Sequence, residues 1–276
     1  MNDRNGVTFM EQEKYQKLLQ ILKSYKKVAV AFSGGVDSTL LLAAAKEAVG
    51  ENCIAITAVS ELNPHWETEE ADSFCKDRGI RHVVVQAKPL SLPVFVSNPK
   101  DRCYHCKKTL FQQFKELAEA DGFTLVEGSN TDDLTDYRPG RKALQELAIK
   151  SPLLEAGLSK QEIRNISEEL MLPTWHKPSF ACLASRVPYG EPITKEKLHR
   201  IDLAETYLKD NDFPNFRVRC MDGGTTAKIE VDPADIPALK EILPYLRPYY
   251  QVLGFTKVII DEEGYRRGSL NEGVTV

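Results

Sequence analysis

The apolar run K-V-A-V-A-F (Lys27 to Phe32) breaks at Ser33-Gly34-Gly35 and opens at once onto a helical pattern with Leu40, Leu41, Leu42, Ala45 and Val49 at helical spacing. A strand that turns this abruptly into an apolar helix is the start of a βαβ unit and commits the chain to strands joined by helices. The same alternation continues. A helical pattern (Glu13 to Tyr25) precedes the run; strand-like C-I-A-I-T-A-V, a helix (Trp66 to Arg78), strand R-H-V-V-V, a helix (Tyr104 to Asp121), strand F-T-L-V-E and helices over Pro139 to Ile149 and Ser159 to Leu170 follow it. Such a pattern reads as an α/β fold, a mostly parallel sheet wrapped on both faces that binds ligands at the carboxyl ends of its strands.

From about Pro173 the texture changes. The segment L-P-T-W-H-K-P-S-F reads as a linker, followed by a helix (Thr194 to Lys209), strands F-R-V-R-C and A-K-I-E-V, a helix (Ile236 to Leu246) and strand K-V-I-I-D. The expected organisation is a domain over 1–178 and a smaller C-terminal α+β domain over 179–276. A chain of 276 residues is long enough for both to bury real cores without disulfide staples.

Nothing approaches the run of about 18 apolar residues that spans a bilayer, and Met1 to Glu13 is too polar for a signal or transit peptide, so a cytoplasmic protein without membrane contact is expected. With 36 Lys+Arg against 40 Asp+Glu, the net charge of −4 argues against unaided tight binding to nucleic acid.

Six cysteines in a reducing compartment are thiols, metal ligands or reactive groups rather than bridges. Cys53 and Cys220 sit in strand-like runs and Cys75 in a helical stretch, which suits small buried hydrophobes. Cys103 and Cys106, in C-Y-H-C beside Arg102, Lys107 and Lys108, and Cys182, in S-F-A-C-L-A-S-R, need a separate account.

The segment S-G-G-V-D-S is built to hold an anion: glycines let the backbone approach closely, free amides open the next helix, and Ser33 and Ser38 add hydroxyls. It has neither the lysine of G-x-x-x-x-G-K-[ST] nor the spacing of G-x-G-x-x-G. Ser-Gly-Gly can also be a plain tight turn and Asp37 a capping residue. The segment resembles the S-G-G-x-D-S signature of the PP-loop ATP pyrophosphatases, whose fold is that of the adenine nucleotide alpha hydrolases. That resemblance implies a loop gripping pyrophosphate, with ATP bound by Ser33, Gly34, Gly35, Asp37, Ser38, Ala58, Ser60 and Gly128. It also implies Mg²⁺ held by Asp37 and Asp133. The strand-end loop E-G-S-N-T-D-D-L-T-D carries Gly128, Asn130, Asp132, Asp133 and Asp136, and any one of these acids can equally be a solvated turn residue.

The strings D-Y-R-P-G, W-H-K-P-S-F-A-C-L-A-S-R-V-P-Y-G, F-R-V-R-C and G-Y-R-R-G-S-L-N together resemble the LarE family over nearly the whole chain. The resemblance implies ATP-dependent adenylation of a carboxylate of pyridinium-3,5-biscarboxylic acid mononucleotide and replacement of its oxygen by sulfur, on the way to the nickel-pincer nucleotide. It implies substrate contacts from Ser185, Arg186, Arg217, Arg219 and Glu230, catalytic roles for Asp37, Cys182, Arg186 and Glu205, a sulfide or other sulfur donor, and a homo-oligomer. Arginines suit a substrate with a phosphate and two carboxylates because their forks clamp such anions bidentately. Residues two apart on a strand face the same way, so Arg217 and Arg219 can also form an exposed strand face.

One departure matters. The sacrificial cysteine of the family stands five residues before the arginine of S-R-x-P-Y-G, a position held here by Ala181, while Cys182 stands four before. A branch of the family with three cysteines binds a [4Fe-4S] cluster, and Cys103, Cys106 and Cys182 would supply the three thiolates and leave one iron open. Zn²⁺ with an added ligand such as His105, or a redox C-x-x-C, are the alternatives. A tRNA thiolase, an ammonia-using ligase and an adenine-nucleotide sensor are rival functions; the acidic charge opposes the first, and the cysteines oppose the other two.

Overall fold

The computed structural model describes residues 7–134, 139–178 and 181–266. Along the chain run α1 (Phe9–Ser24), β1 (Val28–Ala31), α2 (Val36–Val49), β2 (Cys53–Val59), α3 (His65–Asp77) and β3 (Arg81–Gln86). A short α4 (Pro93–Val96), α5 (Arg102–Ala120), β4 (Thr124–Val126), α6 (Gly140–Glu146), α7 (Pro152–Ala156) and α8 (Lys160–Glu169) follow. The chain continues as α9 (Lys195–Asp210), β5 (Phe216–Met221), β6 (Thr226–Val231), α10 (Ile236–Val252) and β7 (Lys257–Ile260). The chain divides into two compact units. The first comprises Met1–Ser60, His65–Ala87 and Asp101–Phe180; the second gathers Ala181–Val276 with the excursions Glu61–Pro64 and Lys88–Lys100.

In the first unit the four strands are parallel in the order β3-β2-β1-β4, the α/β sheet expected from the alternation. Side chains on a strand alternate between faces, and two cores result. Val28, Val30, Cys53 and Ala55 pack with Leu18, Leu22, Leu41, Leu153 and Ile163 on one side. Ala29, Ile54 and Ile56 pack with Phe111, Phe114 and Leu144 on the other. Helix α1 starts in a capping box, Thr8 bonding the Glu11 amide and Glu11 the Thr8 amide, and α8 starts in another made by Ser159 and Glu162.

The second unit is built on a three-stranded mixed sheet, with β5 and β6 antiparallel and β6 and β7 parallel. Phe216, Val218 and Cys220 of β5, Ile229 of β6 and Tyr250 of α10 are buried in this unit. Leu198, Ile201 and Leu208 recur at helical spacing and form the buried side of α9. Helix α10 runs to Val252 rather than stopping near Leu246, through Pro244 and Pro248. Each proline removes only one amide, and buried Leu246 and Tyr250 hold the later turns to the core. Helix α6 is shorter than its pattern suggests, because Ala148 adopts a left-handed φ of 54° and Lys150 bridges to Val126. Among the described residues, no helix is long and apolar enough to cross a membrane.

Candidate active site

The phosphate loop lies between β1 and α2. Gly34 takes φ 70°, a conformation that side chains resist, whereas Gly35 sits at φ −84° as the residue preceding α2. Of the two glycines, the turn itself requires only Gly34. The loop is tied internally: the Ser33 amide donates to Ser38 Oγ at 3.3 Å, the Ser33 and Ser38 hydroxyls lie 3.1 Å apart, and Ser38 Oγ donates to the Gly35 carbonyl at 3.1 Å. Ser33 itself is exposed.

The loop after β4 comes against the start of α2. A Cβ placed on Gly128 would lie 3.2 Å from the Ser38 amide nitrogen and 3.3 Å from the Asp37 Cβ, so any side chain here would press the start of α2 away by a few tenths of an ångström. Asn130 Nδ2 donates to Asp37 Oδ1 at 3.2 Å, and the Asn130 amide donates to Asp133 Oδ2 at 3.1 Å. Asp37, Asn130 and Asp133 are thus linked in one hydrogen-bonded chain, with Asp133 buried and Asp132 exposed. Asp136 lies outside the described residues. At the end of β2, Ala58 and Ser60 are half-buried. Thr57 donates to the Phe32 carbonyl at 2.8 Å, which fixes the residue just before the loop.

Two lysines from outside the S-G-G-V-D-S segment reach this loop. Lys160 Nζ, from the first residue of α8, lies 2.5 Å from Asp37 Oδ2. Lys177 Nζ donates to the Gly34 carbonyl at 3.3 Å and to Glu70 Oε2 at 2.7 Å. Both are more than 120 residues from their partners in the loop, a separation that no local pattern reveals.

In the second unit Arg186 ends a 3₁₀ turn (Leu183–Arg186) and is fully buried. Its fork closes on Glu205, Nε to Oε1 at 2.8 Å and Nη2 to Oε2 at 2.9 Å. Its remaining nitrogen donates to the carbonyls of Ala181 and Cys182 and to Ser185 Oγ. Arg219 forms the same kind of fork with Glu230, at 2.9 and 2.8 Å, and donates to the Ser185 carbonyl at 2.7 Å. The pairing is diagonal on the ladder, since Arg219 stands opposite Lys228. Arg217 lies with its guanidinium carbon 4.8 Å from the Tyr265 ring centre. Burial, reinforced by the nearby charge of Arg186, pulls its pKa down to about 10. Arg217 and Arg219 are buried, so they do not form the exposed strand face that the pattern also allowed.

The cysteine-bearing segment is therefore held by guanidinium groups. A further anchor is Asn98, buried at φ 55°, whose Nδ2 donates to the carbonyls of Val187, Pro188 and Glu191. The sequence offers one signal for it: Asn is among the few side chains that tolerate a left-handed backbone.

The cysteines divide as their surroundings suggested. Cys53, Cys75 and Cys220 are buried, and burial raises their thiols to about 12, 12 and 11. Cys103, Cys106 and Cys182 are partly exposed. Cys103 and Cys106 stand one turn apart on α5 and so share a face; Cys182 precedes the 3₁₀ turn of the second unit. Among the described residues, no group of three or more His, Cys, Asp or Glu side chains is assembled to hold a metal ion.

Residues 8–95 match the family model of the PP-loop domain. Over 94% of this chain and 94% of its own length, the pyridinium-3,5-bisthiocarboxylic acid mononucleotide synthase of Lactiplantibacillus plantarum is 34% identical. The chain belongs to the LarE family. Two further proteins resemble this LarE chain over most of their lengths, both uncharacterised. One, from Synechocystis, is 41% identical over 96% of the chain and 100% of its own length; the other, from Methanocaldococcus jannaschii, is 32% identical over 87% and 91%. LarE membership and the PP-loop ATP pyrophosphatase domain make the chain an enzyme, as its strings implied.

Proposed function

We propose that this enzyme activates a carboxylate of pyridinium-3,5-biscarboxylic acid mononucleotide with ATP and replaces its oxygen by sulfur, yielding a thiocarboxylate for the nickel-pincer nucleotide. The observation that carries the proposal is the likeness to the synthase of L. plantarum, which extends through both units rather than the PP-loop domain alone. Residues 1–178 bind ATP in this reading, and 179–276 handle substrate and sulfur.

Ser33, Gly34, Gly35, Asp37, Ser38 and Gly128 hold the triphosphate, and Ala58 and Ser60 meet the nucleoside. The substrate carboxylate attacks the α-phosphorus, the bond to the bridging oxygen breaks, and pyrophosphate leaves. The carboxylate oxygen now belongs to AMP, a good leaving group. A sulfur nucleophile adds to the acyl carbon, AMP departs with the oxygen, and the thiocarboxylate remains. Ser185, Arg186, Arg217 and Arg219 face the anionic substrate in this reading, with Glu230 orienting Arg219 and Glu205 orienting Arg186, and Cys182 serves sulfur transfer.

Asp37 and Asp133 would hold Mg²⁺, which when bound supplies charge to the departing pyrophosphate. Asp37 fits that role because its carboxylate sits at the loop itself and is partly exposed. Cys103, Cys106 and Cys182 would hold a [4Fe-4S] cluster, which three thiolates leave with one iron open to sulfide. Their partial exposure, against the burial of the other three thiols, supports that assignment.

The test is anaerobic purification with iron and sulfide analysis, followed by incubation with ATP, Mg²⁺, the biscarboxylate mononucleotide and sulfide. Pyrophosphate release with exchange of oxygen for sulfur in the product is expected. Pyrophosphate release without sulfur incorporation refutes the sulfur reading, and colourless protein with one equivalent of zinc refutes the cluster.

A further inference from the structure

The loop S-G-G-V-D-S carries an acidic side chain and no basic one, yet a nucleoside triphosphate brings several negative charges to it. Backbone amides and the helix dipole offset only part of that charge. Lysines from distant segments stand at the loop instead, and neither lies within the residues 8–95 that match the PP-loop model.

We propose that Lys160 and Lys177 are the phosphate-gripping cations of this site, each exchanging a protein carboxylate for a β- or γ-phosphate oxygen when ATP binds. The inference rests on the ATP-binding reading above. Lys177 has three N–H donors, of which one is on the Gly34 carbonyl and one on Glu70. Because Gly34 belongs to the loop, the ammonium stands beside whatever the loop cradles. Its backbone is fixed as well: Arg164 donates to the carbonyls of Trp175 and Lys177, at 2.5 and 2.9 Å. Lys160 is fixed by its place directly after the Ser159 cap of α8. Side-chain exposures of 22% for Lys160 and 17% for Lys177 put both charges where water screens them less than on an open surface.

Carboxylates at these positions compete with phosphate for the same ammonium groups. The present partners, Asp37 and Glu70, neutralise the lysines in the absence of nucleotide, and a phosphate oxygen offers a charge-assisted bond of the same kind. AMP, which lacks the β- and γ-phosphates, gains nothing from either lysine.

Titration calorimetry of the full chain with ATP, inorganic pyrophosphate and AMP tests this. Lys160→Ala and Lys177→Ala are each expected to weaken ATP and pyrophosphate binding about tenfold or more, while AMP stays within about twofold. Lys160→Arg and Lys177→Arg, which keep the charge, should recover most of the affinity. Glu70→Gln removes the competitor of Lys177 and should tighten pyrophosphate binding. Equal weakening of AMP and ATP would assign the lysines to the fold and overturn the inference. Unchanged ATP binding in both alanine variants overturns it too, while leaving the ATP-binding reading intact. A wild-type chain that binds neither ATP nor pyrophosphate brings down that reading and the lysine assignment together.

Discussion

The two units handle anionic chemistry in opposite ways. In the first, a phosphate site is made from backbone and short side chains: a glycine at φ 70°, two serines bonded to each other, and a second glycine that lets Asp37 and Ser38 approach. In the second, charge is sunk into the interior as guanidinium–carboxylate forks, with Arg186 and Glu205 both fully buried. A backbone site tolerates change in its surroundings as long as the turn survives. A buried fork does not, because removing one member strands the other in a medium that cannot solvate it.

The sharpest way to break this contrast is at the fork. Glu205→Ala should destabilise the second unit by about 3–5 kcal/mol in urea unfolding, since Arg186 is then buried without its carboxylate. A double variant, Arg186→Met with Glu205→Leu, should be less damaging than Glu205→Ala alone; if the two are equally unstable, the stranded charge is not the cause. Next in size is Asn98→Ala, which leaves the carbonyls of Val187, Pro188 and Glu191 without their shared donor and should cost about 2 kcal/mol by the same measurement.

In the first unit the effects should fall on binding rather than folding. Gly128→Ala pushes a methyl against Ser38 and Asp37, so ATP affinity should fall about tenfold in calorimetry with little change in unfolding temperature. The smallest effect is electrostatic. Burial pushes the Glu162 carboxyl up, but its bonds to Lys14 and Ser159 outweigh this and hold its pKa below the ordinary glutamate value. A carboxyl lowered in the folded state stabilises above its unfolded pKa and loses that contribution as pH falls through the lowered value. Glu162→Gln should therefore narrow the stability difference between neutral and strongly acidic pH, read from thermal unfolding at both.

The same contrast explains what could be read from the amino-acid order. The phosphate loop was legible because its chemistry is local: glycines, serines and a helix start occupy adjacent positions. The parallel sheet was legible because Val28, Ala29 and Val30 announce a strand buried on both faces. The partners of the forks were not, since Arg186 meets Glu205 across 19 positions and Arg219 meets Glu230 only through a diagonal on the ladder. Family likeness named those arginines as substrate ligands; that each also grips a glutamate and the Ala181–Ser185 backbone took three dimensions to see. The reach of Lys160 and Lys177 was hidden for the same reason: one follows a helix cap and the other sits in the W-H-K-P string, and neither pattern says that the side chain meets a loop more than 120 positions away.

The excursion Lys88–Lys100 has a practical bearing on anyone who cuts this protein apart. A fragment beginning at Ala181 contains β5, β6, β7 and both long helices of the second unit, but it lacks Asn98. The V-P-Y-G-E stretch would then have lost its clamp. The second unit is thus no portable cassette: it can be transplanted only with a length of its host's chain threaded through it.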